Sequence, residues 1–141
     1  MKFTEGFWLR SESANALYAA HAYEWQAIEN GMRILAPVGH IDSRGATLNQ
    51  PTITIEFRAV GRNAVSVRAW HFAGYDTHVP EFECTEDPRP VALEETESEY
   101  RMCFDDLMVR VTKYPFGYSF ESAGKVITGC GFRNLGYMRW Q

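Results

Sequence analysis

The sequence predicts an all-β protein, an antiparallel β-sandwich, on three observations. Apolar and polar residues alternate in run after run, turn-forming residues interrupt these runs about every ten residues, and aromatic residues reach 14% of the chain. Flat rings and β-branched neighbours suit pleated surfaces better than helix faces.

Taken in chain order, residues 14–20 (ANALYAA) hold the best helix formers, but a stretch this short is not stable by propensity alone, and it reads as loop or strand. Next, HAYEWQAIE and MRILAPV flank Glu29-Asn30-Gly31, and an Asn-Gly between two apolar runs predicts a tight hairpin with positive φ angles. The cleanest alternation is TITIEFR, Thr52 to Arg58, with Ile53, Ile55 and Phe57 on a core face and Thr54, Glu56 and Arg58 on a wet one. Gly61, Arg62 and Asn63 then supply a turn. Residues 64–72 alternate again, Val65, Val67, Ala69 and His71 against Ser66, Arg68, Trp70 and Phe72.

Residues 73–90 contain three prolines and little periodicity, which marks a long surface crossing between two groups of hairpins. Beyond it, EYRMCF presents Tyr100, Met102 and Phe104 on one face, and LMVRVTK presents Leu107, Val109 and Val111, with Asp105-Asp106 at the turn between them. Finally YSFE and KVIT surround Ser122-Ala123-Gly124, a loop whose glycine closes a fourth hairpin.

A chain of 141 residues makes one domain, 1–141, because two cores would each approach the lower limit for independent folding. The net charge of -4 and pI near 5.6, with no basic stripe, disfavour a nucleic-acid partner. No stretch of 18 apolar residues suggests a membrane span, and no leader segment is visible. Cys84, Cys103 and Cys130 are odd in number and widely spaced, which fits a reducing, cytoplasmic setting. The last residues, GCGFRNLGYMRWQ, lack the polar fraying of a finished terminus, so the chain is expected to be a piece of a longer one.

Candidate chemistry is sparse. A retaining glycosidase needs two carboxyl groups about 5–5.5 Å apart, but Glu94, Glu95, Glu97 and Glu99 lie along a strand and its turn, where acids blunt an exposed sheet edge. Asp105-Asp106 sits where a hairpin must turn, and a structural role is expected. Of the histidines at 21, 40, 71 and 78, only His71, Asp76 and His78 are close in sequence, and their spacing matches no zinc signature. Tyr18, Trp70 and Tyr75 are candidates for a sugar platform, with Trp70 packed beneath the 73–90 crossing as the simpler alternative. No thiol has an adjacent histidine, and no nucleophile-elbow, phosphate-loop or zinc-protease motif occurs. No catalytic, cofactor-binding or metal-ligating residue is therefore assigned, and no cofactor is expected.

As a whole, the chain resembles the amino-terminal region of family 31 glycoside hydrolases, and within it the bacterial α-xylosidases. The resemblance rests on KFTEGFWL, the ENGM hairpin, TLNQPTITIEF, VSVRAWHFAG, LMVRVTKYPFGYSFESAGKVITG and LGYM, in that order. It implies a β-sandwich related to galactose mutarotase, followed in the family by a (β/α)8 barrel that carries both catalytic aspartates. On that resemblance no residue here matches a catalytic position, and the last strands of the sandwich are expected beyond Gln141. The partner implied is the barrel of the same parent chain, an α-xylosidase or α-glucosidase. Self-association of the piece, or a homo-oligomer of the parent, is also expected through exposed strand edges. Two rivals stand beside this reading: a free-standing carbohydrate-binding sandwich, and a mutarotase-like epimerase with a histidine and a carboxylate in one cleft.

Overall fold

A computed structural model describes residues 4–5, 9–72 and 85–140. Thirteen strands appear among the described residues: β1 (Thr4–Glu5), β2 (Leu9–Arg10), β3 (Ala14–Tyr18), β4 (Glu24–Ile28), β5 (Gly31–Pro37), β6 (Thr52–Gly61), β7 (Ala64–Trp70), β8 (Ala92–Glu95), β9 (Glu99–Phe104), β10 (Leu107–Thr112), β11 (Gly117–Ser122), β12 (Lys125–Cys130) and β13 (Gly136–Trp140). Among these residues the one helical element is a single 3-10 turn, Gly45–Thr47, so the all-β expectation holds.

Two antiparallel sheets face each other, one ordered β4-β5-β6-β7 and the other β12-β11-β10-β9-β8. Alternation decides which residues meet between them. In the first sheet Met32, Ile34 and Ala36 of β5 lie opposite Phe57, Ile55 and Ile53 of β6, all buried. In the second, Tyr100, Met102 and Phe104 of β9 lie opposite Val111, Val109 and Leu107 of β10, and these join the same core. Phe57 reaches across to meet the Tyr118 ring edge-to-face at 5.2 Å. The burial of these side chains is the main force holding the sheets together.

Residues 14–20 settle as a strand and a tight crossing. β3 pairs with β13, and the chain then threads between the sheets: the Ala20 amide donates to Pro37, the Ala22 amide to Lys113, and the Phe116 amide to Ala20. Ala19 and Ala22 are fully buried there, so the alanines serve for small volume and not for helix propensity.

The hairpins fall where the sequence places them, with one correction. Positive φ occurs at Asn30 but not at Gly31, which is already the first residue of β5. Gly31 is needed for a different reason, because a Cβ there would collide with the Phe57 carbonyl oxygen on β6. Asn63 and Asp105 also hold positive φ at their turns, as do Ala123 and Gly124. The 73–90 crossing is described only from residue 85. Its last part runs exposed beside the end of β6, where the Asp87 amide donates to Val60 and the Arg89 amide to Ala59.

Among the described residues, one side of the sandwich is open. Val65, Val67 and Ala69 of β7 share the inward face by register with Ala59, Phe57 and Ile55, yet Val67 is 37% exposed and Ala69 is exposed too. Opposite them β12, an edge strand, has Thr128 on the inward face, also exposed. A bulge between Phe120 and Glu121 locally disrupts its pairing, and Val126 and Ile127 stand 65% and 62% exposed.

Candidate functional site

The acidic residues singled out in the sequence divide by position. Glu94 and Glu95 sit on β8, an edge strand, and with Glu97 they are exposed. Glu99, half-buried on β9, lies beside two arginines that face each other in register, Arg101 and Arg110. Like charges in that position repel, and Glu99 Oε2 offsets this by approaching the Arg101 Nη2 at 2.8 Å and the Arg110 Nε at 3.6 Å. Glu95 accepts hydrogen bonds from Lys113 Nζ at 2.7 Å and from Trp25 Nε1 at 2.8 Å, which tie β8 to β4 across the sandwich rim. These bonds pull its carboxyl below the usual range.

An open depression of about 580 Å³ gathers Asp105, Asp106, Glu121 and Cys103. Two of its acids, Asp105 and Glu121, are held as ion-pair partners. Asp105 Oδ1 accepts from Arg89 Nη2 at 3.1 Å and Oδ2 from the Asn63 amide at 3.4 Å, while the Asp106 amide donates to Asn63 Oδ1 at 3.1 Å. Arg89 is the main cause of the Asp105 carboxyl titrating low. Glu121 is buried against Arg110, 3.1 Å away, and accepts the Ser119 hydroxyl at 3.1 Å. A glycosidase acid needs the opposite shift, a carboxyl kept protonated near neutral pH. Glu56, Glu95 and Asp105 all move downward instead.

The histidines separate in the same way. His71 stacks flat on Tyr137 at 3.7 Å, while Asp76 and His78 lie outside the described residues, as do Tyr75 and Cys84. Among the described residues no group of three or more His, Cys, Asp or Glu is placed to hold a metal. Trp70 is half-buried on the outer face of β7, with Arg68 5.4 Å from its ring centre, and Tyr18 ends β3 opposite Gly136. Those platform candidates do not converge on one concavity. Cys103 and Cys130 are free thiols; Cys130 is paired in register with Tyr118, whose hydroxyl is pushed up to about 12, mainly by burial and then by the thiol.

A cluster the sequence did not single out lies where the 18–24 and 37–51 connections meet the 113–116 turn. His21 stacks on His40 at 4.8 Å, the Tyr114 ring lies tilted against His40 at 4.1 Å, and Tyr23 stands edge-on to His21 at 5.7 Å. His21 Nδ1 accepts the Ile41 amide at 3.2 Å, a bond only the ring deprotonated at that nitrogen can make. Burial, then His40 and Lys113, lowers its pKa from 6.5. The unfolded chain therefore takes up the proton first, so stability is full above that value and falls as pH drops through it. Thermal melts between about pH 7.5 and 5.5 should show Tm falling for the native chain and a flatter profile for His21→Asn, whose Oδ1 can keep the Ile41 bond. Parallel profiles would exclude His21 as the source.

No family model matches the chain. Among curated proteins it is similar to the alpha-xylosidase XylQ of Lactiplantibacillus pentosus, 30% identical over 129 residues, which is 91% of this chain. The chain spans about 17% of that enzyme's length. No helix among the described residues is long and apolar enough to cross a membrane. This β-sandwich is accordingly related, over most of its length, to one part of a glycosidase.

Proposed function

We propose that this chain is a non-catalytic, amino-terminal β-sandwich domain of an α-glycosidase, either an α-xylosidase or an α-glucosidase. In this reading it has the galactose-mutarotase-like fold of family 31 enzymes, works in the cytoplasm, and supports a catalytic (β/α)8 barrel in the same polypeptide. The observation that carries the reading is the similarity of 91% of the chain to about one sixth of an α-xylosidase. The sandwich chemistry agrees with it, since the described carboxyls with displaced titration are locked to arginines or lysine and none is held protonated.

The open side formed by β7 and β12 gives the supporting role a physical form. Inward-facing Val67, Ala69 and Thr128 lie exposed there, and Val126 and Ile127 add apolar surface on β12, an edge strand among the described residues. The rest of the parent chain would cover that surface; without it, copies of the domain would associate through it.

The purified chain should leave an aryl α-xyloside intact under conditions where a complete α-xylosidase cleaves it. Turnover that co-purifies with the chain and survives removal of trace contaminants would refute the non-catalytic role. The gene should also continue past codon 141 into a segment long enough to form a barrel.

A further inference from the structure

We propose that a small cavity on the outer face of the first sheet binds a single sugar ring. It lies between β4, β5 and the start of β6 on one side and the 38–51 connection on the other, and encloses about 200 Å³. That is room for roughly seven waters and less than a drug-sized ligand needs, which suits one pentose or hexose unit. The acidic depression and the open β7–β12 side play no part in it.

The lining matches the two-sided chemistry of a pyranose, an apolar C–H face and a rim of hydroxyls. Leu35, Pro37 and Ile41 form the apolar floor, and Tyr23, 48% exposed, adds an aromatic ring beside it. The rim carries Glu24, Thr47, Gln50 and Thr52. The Thr47 hydroxyl donates to the Arg44 carbonyl at 2.7 Å and that of Thr52 to the Gln50 carbonyl at 3.4 Å, so both retain lone pairs facing acceptor duty. Gln50 brings a donor and an acceptor, and Glu24 two acceptor oxygens. Glu24 is the one formally charged residue in the lining, so a phosphate or a carboxylate ligand would be repelled and a neutral polyol accepted.

Two features outside the rim set its shape. A Cβ at Gly39 would stand 2.6 Å from both Oε1 and Nε2 of Gln50, so the carboxamide lies directly against the bare glycine. The His21 bond to the Ile41 amide fastens the floor of the cavity to the connection that carries Tyr23. Alanine at Gly39 would move the Gln50 carboxamide without touching the sheets.

The proposal rests on the glycosidase reading only for the choice of probe. Methyl α-xyloside and methyl α-glucoside, added to the isotope-labelled full chain, should produce saturable amide shifts at Ile41, Thr47 and Gln50, with Kd on the order of 1 mM. Tyr23→Ala and Gly39→Ala should each weaken binding at least about tenfold, while Ile127→Ala, which alters an exposed side chain on β12 outside the lining, leaves it unchanged. A dispersed spectrum certifies that each variant is folded. Absence of saturable shifts with both glycosides overturns the proposal. So do shifts centred on Trp70, equal affinity for glycerol, or full binding in folded Tyr23→Ala and Gly39→Ala. Binding is read on this chain whether or not its parent cleaves glycosides, so the two readings fail separately.

Discussion

Phe57→Ala should lower stability by about 3–5 kcal/mol, a large fraction of the roughly 5–15 kcal/mol typical of a domain. Phe57 is fully buried at the middle of β6, between Met32 on the neighbouring strand and the Tyr118 ring on the facing sheet. Truncation therefore opens a void between two sheets that cannot collapse onto it without shifting their registers. Val67 provides the internal control. It is paired in register with Phe57 and lies on the same inward face, yet stands on the open side at 37% exposure. Val67→Ala should cost only about 1 kcal/mol, because more than a third of its surface stays in water and its truncation leaves no enclosed void. Urea titration of both variants checks the contrast. Similar losses at the two sites would mean that β7 is covered in solution, by self-association for example, and concentration dependence of the midpoint would reveal that.

The same strand pair shows how far sequence reasoning reaches. Period-two alternation assigns the inward faces of β6, β7, β9 and β10 correctly, because a pleated strand leaves no other option once one face is apolar. It does not tell how far the facing sheet extends, so the exposure of Val67 and Ala69 is visible only in three dimensions. β8 (ALEE) was legible only as an acidic sheet edge around Glu94 and Glu95, without bounds, because a four-residue strand whose two apolar residues, Ala92 and Leu93, are adjacent carries no period. β13 escaped for a related reason, since its partner is β3, near the other end of the chain, and no local turn links them. The sugar-sized cavity was not legible at all. Three of its eight lining residues come from the 38–51 connection, where sequence shows loop chemistry but not which strands it folds against. Glu56 illustrates the opposite error: alternation places it on the wet face, where it does lie, yet it is only 6% exposed. The arginines beside it fold over it, and a binary inside-outside pattern has no means of expressing that.

Glu56 is the site of the second large effect. One carboxylate oxygen accepts from Arg33 Nε at 2.9 Å and Nη2 at 2.6 Å, and the other from Arg58 Nε at 3.1 Å. Two cations thus share one acid on the outer face of the sheet, while Arg68, paired in register on β7, lies over the Trp70 ring. Burial alone would raise the Glu56 pKa, but the Arg33 and Arg58 guanidiniums outweigh it and hold it below 4.5. In Glu56→Gln the amide nitrogen replaces one acceptor, so a guanidinium donor faces another donor and the positive charges lose their counter-charge. The arginine side chains are 36% and 40% exposed and can return to water, which limits the loss to about 1–2 kcal/mol, well below the cost of stranding a deeply buried ion. The pH dependence has a definite sign. A carboxyl with a depressed folded pKa stabilises the fold above its unfolded value, and that contribution disappears as pH falls through the folded pKa. The stability gap between the native chain and Glu56→Gln should therefore be widest near neutral pH and narrow steadily below 4.5. A gap that stays constant down to about pH 3 would mean that packing of the side chain, and not its charge, is what the arginines require.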